Sequence, residues 1–128
     1  MSHRVISTGD APGAVGPYSQ GCIGGRLIFI SGQLPIDPKT GRMETEDIRE
    51  ATRLCMSNLI AVAKAGHADA HLVKISIFLQ DMDDFPKMNE VYASFFGSEP
   101  PARACVEVAR LPKDAIIEIE GVAIIPES

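Results

Sequence analysis

Apolar residues recur along this chain at two different periods, and the switch between them marks out the elements. Between Glu46 and Ala65 the positions Ile48, Ala51, Cys55, Leu59 and Val62 step by three and four, which draws one stripe along a helix. Thr45 stands where an N-cap would. Glu46, Asp47 and Glu50 suit the positive end of the helix dipole, Lys64 suits the other end, and Gly66 can supply a left-handed C-terminal cap. From Leu72 to Gln80 the period shortens to two, with Val73, Ile75, Ile77 and Leu79 on one face and Lys74, Ser76, Phe78 and Gln80 on the other, a strand. A second helical stripe, Phe85, Met88, Tyr92, Phe95 and Phe96, predicts a helix over 83–96, with Pro86 in its tolerant first turn and Gly97 at its end. Pro100-Pro101 forbids continuation. Two further strands, 102–109 and 115–125, flank Arg110-Leu111-Pro112-Lys113-Asp114, a loop short enough to make them antiparallel neighbours. Upstream, Tyr18–Ile23 and Arg26–Ser31 surround Gly24-Gly25 and predict a β-hairpin, while Ser7–Gly16, with three glycines and Pro12, reads as a loop or arm. The stretch 32–44 connects this hairpin to the first helix through the turn Asp37-Pro38-Lys39-Thr40-Gly41.

Each helix lies between two strands, and right-handed crossovers place both on the same side. The expectation is an α+β fold, a mixed β-sheet with two helices on one face. The other face should then be polar if the chain works alone. Strand parity places Ala102, Ala104, Val106 and Val108 toward the helices and Arg103, Cys105 and Glu107 away from them. By the same parity Phe78, Ile116, Glu118, Glu120, Val122 and Ile124 face outward. Such a surface is too apolar for water and predicts a homo-oligomer. It also sets Arg103 on the face that carries Glu118. A guanidinium offers a two-pronged donor to a carboxylate ligand, with charged hydrogen bonds contributing ~1.5–3 kcal/mol each. A nearby glutamate can orient or deprotonate water. The same spacing fits a structural Arg103–Glu118 ion pair at least as well, and parity does not separate the two.

Composition narrows the classes. At 128 residues, 45% hydrophobic and 23% charged, the chain has the size and balance of one globular domain spanning 1–128. No apolar run approaches the length a bilayer demands, and Met1-Ser2-His3-Arg4 lacks a signal peptide's apolar stretch, so a cytoplasmic protein without membrane contact is expected. Cys22, Cys55 and Cys105 suit free thiols in a reducing compartment. A net charge of −5, with no basic stripe, argues against nucleic acid as a partner. His67 and His71 are four apart but follow the helix-ending Gly66, and the glycines at 9, 13 and 16 lack the Lys and Ser/Thr of a phosphate loop. Neither a metal nor a cofactor is expected. Cys105 reads as a packing or cleft thiol rather than a nucleophile, since no histidine is close in sequence.

Pro101-Ala102-Arg103-Ala104-Cys105-Val106-Glu107-Val108-Ala109-Arg110-Leu111-Pro112-Lys113-Asp114, followed by Ile117-Glu118-Ile119-Glu120, closely resembles the C-terminal signature of the Rid (reactive intermediate deaminase) or YjgF family. The resemblance continues through Gly16-Pro17-Tyr18-Ser19-Gln20, Ile30-Ser31-Gly32-Gln33-Leu34-Pro35, Phe78-Leu79-Gln80-Asp81-Met82 and Asn89-Glu90-Val91-Tyr92, and so covers nearly the whole chain. It implies a chorismate-mutase-like α+β fold assembled as a homotrimer around a central barrel, with active sites in the clefts between subunits. The implied activity is hydrolysis of 2-iminobutanoate and 2-iminopropanoate, reactive enamine/imine intermediates released by pyridoxal-phosphate dehydratases, to 2-oxo acids and ammonia. Arg103 matches the family's carboxylate-binding arginine, which marks its deaminase-active subgroup. Glu118 matches the glutamate that holds or activates water. Tyr18, Ser31, Gly32, Asn89 and Cys105 match cleft-lining positions. The resemblance also leaves three other readings: a translation-inhibiting ribonuclease, a stress chaperone, or a sensor that only binds small carboxylates.

Overall fold

A computed structural model describes residues 3–127. Met1, Ser2 and Ser128 lie outside the described residues, and with them half of the start read above as lacking a leader. Six strands form a single mixed sheet: β1 (Arg4–Ile6), β2 (Gly21–Gly24), β3 (Leu27–Gln33), β4 (His71–Leu79), β5 (Ala102–Glu107) and β6 (Ile117–Ile124), in the spatial order β1-β2-β3-β6-β4-β5. Helix α1 (Ile48–Gly66) joins β3 to β4, and α2 (Phe85–Ala93) joins β4 to β5. Both helices lie on one face, packed on each other and over the sheet. No helix among the described residues is long and apolar enough to cross a membrane.

The predicted stripe of α1 is the floor of the core. Ala51, Cys55, Leu59 and Val62 are fully buried against Ile28, Ile75, Ile77, Ile117 and Ile119 from the sheet. The helix starts two residues later than expected. Asp47 rather than Thr45 is the N-cap, its side chain accepting from the backbone N–H groups of Arg49 and Glu50 at 3.0 and 3.4 Å. Gly66 is not a left-handed cap. It is the last helical residue, and the extended His67 closes the helix with its N–H on the Ala63 carbonyl. The glycine is needed for a different reason: a Cβ there would come within 3 Å of Ile6 and Ile28. In the hairpin, Gly24 pairs with Leu27, so the turn is Gly25-Arg26 rather than Gly24-Gly25, and Gly25 supplies the required positive φ of 61°.

Three expectations about the sheet fail, and the first two bear on the site. Strands β5 and β6 are not neighbours. Strand β6 inserts between β3 and β4 and pairs antiparallel with each, while β5 pairs in parallel with β4 at the sheet's edge. The connection through α2 is a parallel crossover that sets β5 directly beside β4. The facing of β5 is also the reverse of the parity reading. Arg103 pairs with Ile75 and Cys105 with Ile77, so both point to the helix side, and Ala102, Ala104 and Val106 point away. Cys105 and Ile116, both expected on the open face, pack against the core instead. In β4 a bulge between Leu72 and Lys74 shifts the register, so that Leu72 packs on the core and Val73, expected inside, is exposed.

Candidate active site

The predicted site residues fall into two groups on the two sides of the sheet. The first group lines a cleft of about 580 Å³ on the open side, bounded by Tyr18, Gln20, Ser31, Gly32, Lys113, Glu118 and Glu120 among others. Its floor is a β-bulge. Ile30 pairs with Gly121 but Gln33 with Ile119, so Ser31-Gly32 contains one residue more than the facing segment of β6. Into that irregularity β6 projects Glu118, packed so tightly over the backbone that a Cβ on Gly32 would lie 2.2 Å from its Oε2. The Glu118 carboxylate is half-buried and accepts no hydrogen bond from the described residues. Burial, reinforced by the neighbouring Glu120 charge, raises its pKa above the ordinary carboxylate value. Ser31 is held by its hydroxyl donating to the Ser19 carbonyl at 2.6 Å and its N–H donating to the Gln20 carbonyl at 2.9 Å.

The wall of this cleft is the arm over residues 7–20, and one buried side chain ties it down. The Gln20 side-chain amide nitrogen donates to the carbonyls of Thr8, Ala11 and Pro12, and its oxygen accepts from the Thr8 N–H at 2.7 Å. Tyr18 is half exposed at the rim, its hydroxyl accepting from the Val15 N–H at 3.3 Å. Neither Gln20 nor Lys113 is picked out by sequence reasoning. Lys113 lies in a turn where it and Asp114 both adopt φ of 57°, a conformation uncommon for non-glycine residues and more often seen near functional sites.

The second group, Arg103, Asn89 and Cys105, lies at the other edge, on the helix side. Arg103 leaves β5 and runs under α2. Its Nη1 donates to Asn89 Oδ1 at 2.7 Å, and its guanidinium carbon stands 4.7 Å from the Tyr92 ring centroid and 5.5 Å from that of Phe85. The Arg103–Glu118 ion pair left open by parity does not form. Glu118 pairs with Phe78, which pairs with Val106, three positions beyond Arg103. The two backbones are therefore offset by about 10 Å along the strands and about 10 Å across them, with side chains on opposite faces. Among the described residues no carboxylate neutralises Arg103. Burial raises the pKa of the nearby Cys105 thiol and the Arg103 charge only partly opposes it, so at neutral pH Cys105 is a thiol rather than a thiolate.

The fold is that of a small α+β protein, a mixed sheet backed by two helices, with a guanidinium lacking a carboxylate partner among the described residues on the edge strand β5 and a carboxylate lacking a hydrogen-bond partner among them on the central strand β6. The model of the family described as Endoribonuclease L-PSP matches residues 8–125. A RutC family protein of Pyrococcus horikoshii is 51% identical over 121 residues, covering 94% of this chain and 96% of the relative. The human protein named 2-iminobutanoate/2-iminopropanoate deaminase is 45% identical, covering 97% and 91%. The crystal structure of Escherichia coli TdcF with bound serine superposes with a TM-score of 0.89 at 41% identity, covering 96% of this chain and 99% of that one. The chain belongs to the Endoribonuclease L-PSP family, the Rid or YjgF family of the sequence resemblance, whose members include reactive intermediate deaminases.

Proposed function

We propose that this protein is a cofactor-independent imine hydrolase that converts 2-iminobutanoate and 2-iminopropanoate to 2-oxo acids and ammonia. It works as a homotrimer on intermediates released by pyridoxal-phosphate dehydratases. The observation that carries the reading is the state of Arg103: an oriented, half-buried guanidinium with no anionic partner among the described residues. A cation fixed in this way favours an incoming carboxylate, and a planar fork favours it in two-point contact. The human relative's name supports the substrate class.

Within one protomer Arg103 and Glu118 lie too far apart and on opposite faces to share a small substrate. In a ring of like subunits, the Arg103 edge of one protomer meets the Glu118 cleft of the next, and each interface completes one site. The exposed apolar side chains Leu27, Phe29 and Val106 on the open face of the sheet supply the surface for such an assembly.

The chemistry needs little machinery. A protonated imine is already electrophilic, so water attack requires positioning and proton transfer. Arg103 grips the substrate carboxylate, and Asn89 holds the fork in place. The ionised Glu118 takes a proton as the water oxygen bonds to the imine carbon, leaving a carbinolamine. Glu118 then returns the proton to nitrogen; as the C–N bond breaks to release ammonia, the freed carboxylate takes the hydroxyl proton and passes it to solvent, and the hydroxyl oxygen becomes the 2-oxo group. A raised Glu118 pKa suits a group that must both accept and return a proton. Tyr18, Ser31, Gly32 and Cys105 shape the walls.

The test couples the protein to threonine dehydratase and traps surviving imine with semicarbazide. Arg103→Ala is expected to lose at least about 100-fold in kcat/KM, the scale of removing a charged hydrogen-bonding partner. Full activity in that variant overturns the assignment.

A further inference from the structure

The face of α2 that meets Arg103 carries more than Asn89. Phe85, Asn89 and Tyr92 follow one another at intervals of four and three, so they line up along one side of the helix, and all three contact the same guanidinium. Tyr92 is buried, with 5% of its surface exposed, and its hydroxyl is the one buried side-chain polar atom without a hydrogen-bond partner among the described residues. A buried phenol that bonds to nothing is kept for its ring. That ring also packs on Phe96, with centroids 5.0 Å apart, which fixes its plane. Side by side with Tyr92, Arg103 lines a pocket of about 440 Å³ with Asn89, Phe96 and Pro101.

We propose that Tyr92, with Phe85, is a positioning element for the substrate-binding arginine: an aromatic platform that holds the guanidinium by its face and leaves its N–H edge free for the ligand. The inference rests on the carboxylate-binding role of Arg103 proposed above. A guanidinium is weakly hydrated on its faces and strongly so at its edge, so stacking on rings removes it from solvent at little cost and leaves its donors intact. Asn89 occupies one donor, Nη1, which sets the rotation of the fork about its stem. The two rings set its plane. An arginine held in this way loses less freedom when a carboxylate arrives, and the gain falls on binding rather than on the chemical step. The Tyr92 hydroxyl takes no part.

The experiment measures 2-oxobutanoate binding by calorimetry and imine hydrolysis by the trapping assay, on Tyr92→Phe, Tyr92→Leu and Phe85→Leu, each also in the Arg103→Ala background. Tyr92→Phe is expected to keep the wild-type affinity and KM. Tyr92→Leu and Phe85→Leu are expected to weaken 2-oxobutanoate binding and raise KM by about tenfold with kcat within about twofold, the scale of losing a partly desolvated cation–π contact. In the Arg103→Ala background neither is expected to add a further loss, because the platform acts only through the guanidinium. Should Tyr92→Leu prove too unstable to assay, Phe85→Leu, whose ring is only partly buried, carries the test. The platform is overturned if both leucine variants bind 2-oxobutanoate as wild type does while Arg103→Ala does not, or if their losses persist without Arg103. If Arg103→Ala itself binds 2-oxobutanoate normally, the carboxylate-clamp reading falls, and the platform with it.

Discussion

A Cβ at position 32 would occupy the place of the Glu118 carboxylate, so the smallest substitution in the cleft tests the most. Gly32→Ala is expected to push Glu118 off the bulge and cut kcat by about 10²-fold, the scale of misplacing a proton-transfer group, with the sheet intact by circular dichroism. Glu118 itself makes a separate prediction about stability. Its folded pKa lies above the unfolded value because burial, then Glu120, disfavours the ionised form. The native state therefore holds this proton more tightly, and the resulting stability is fully present below the unfolded pKa and lost as pH rises through the folded one. Glu118→Gln removes the charge that burial penalises. Its melting temperature at pH 7 is expected to exceed the wild type's, and thermal scans down the pH range should show that advantage vanish below the ordinary glutamate pKa. Activity should run the other way in the wild type, falling as acid protonates Glu118 with a midpoint above the ordinary glutamate value. Of the residues singled out from the sequence, Tyr18, Ser31, Gly32 and Glu118 come together in the open-side cleft, while Arg103, Asn89 and Cys105 come together on the helix side. Gln20 was missed because its role consists of contacts to the backbone of its own arm.

At the scale of elements, the arm over residues 7–20 contributes almost no core and is held by hydrogen bonds. Gln20→Ala removes four of them and leaves the carbonyls of Thr8, Ala11 and Pro12 unpaired. Its expected cost is about 2–3 kcal/mol, read as a lowered denaturant midpoint, with faster proteolytic cleavage within the arm. A similar device anchors the other wall, where Asn58 on α1 donates to the carbonyls of Leu34 and Ile36 at 3.3 and 2.8 Å. Helix α1 was legible because its stripe is long and strictly periodic. Strand β1 was not, since three residues carry too little pattern to stand out. The β4 bulge defeated the simple alternation at Val73 for a related reason: an inserted residue flips every side chain on one side of it.

For the whole molecule, the sheet has one face covered by two helices and one that is not. Phe29 and Val106 are each nearly half exposed there, and Val5 and Leu27 add to the apolar surface. The proposed trimer makes Phe29 an interface residue. Phe29→Glu is expected to yield monomers by sedimentation velocity and, because each site then lacks its second half, to abolish imine hydrolysis while the monomer stays folded. A monomeric variant with full activity would show that one chain suffices.

Local chemistry was enough to determine both helices, most of the strands, the core stripe of α1 and an uncovered sheet face that is partly apolar. These depend on side-chain periodicity and on glycine and proline positions, which act over a few residues. Which strand lies beside which, and which face Arg103 occupies, was decided only in three dimensions. Strand β6 takes the central place because two antiparallel ladders satisfy both its edges, and β5 inherits its facing from β4. A stacked guanidinium can occupy a helix-covered face as readily as an alanine, so parity read from polarity alone pointed Arg103 the wrong way.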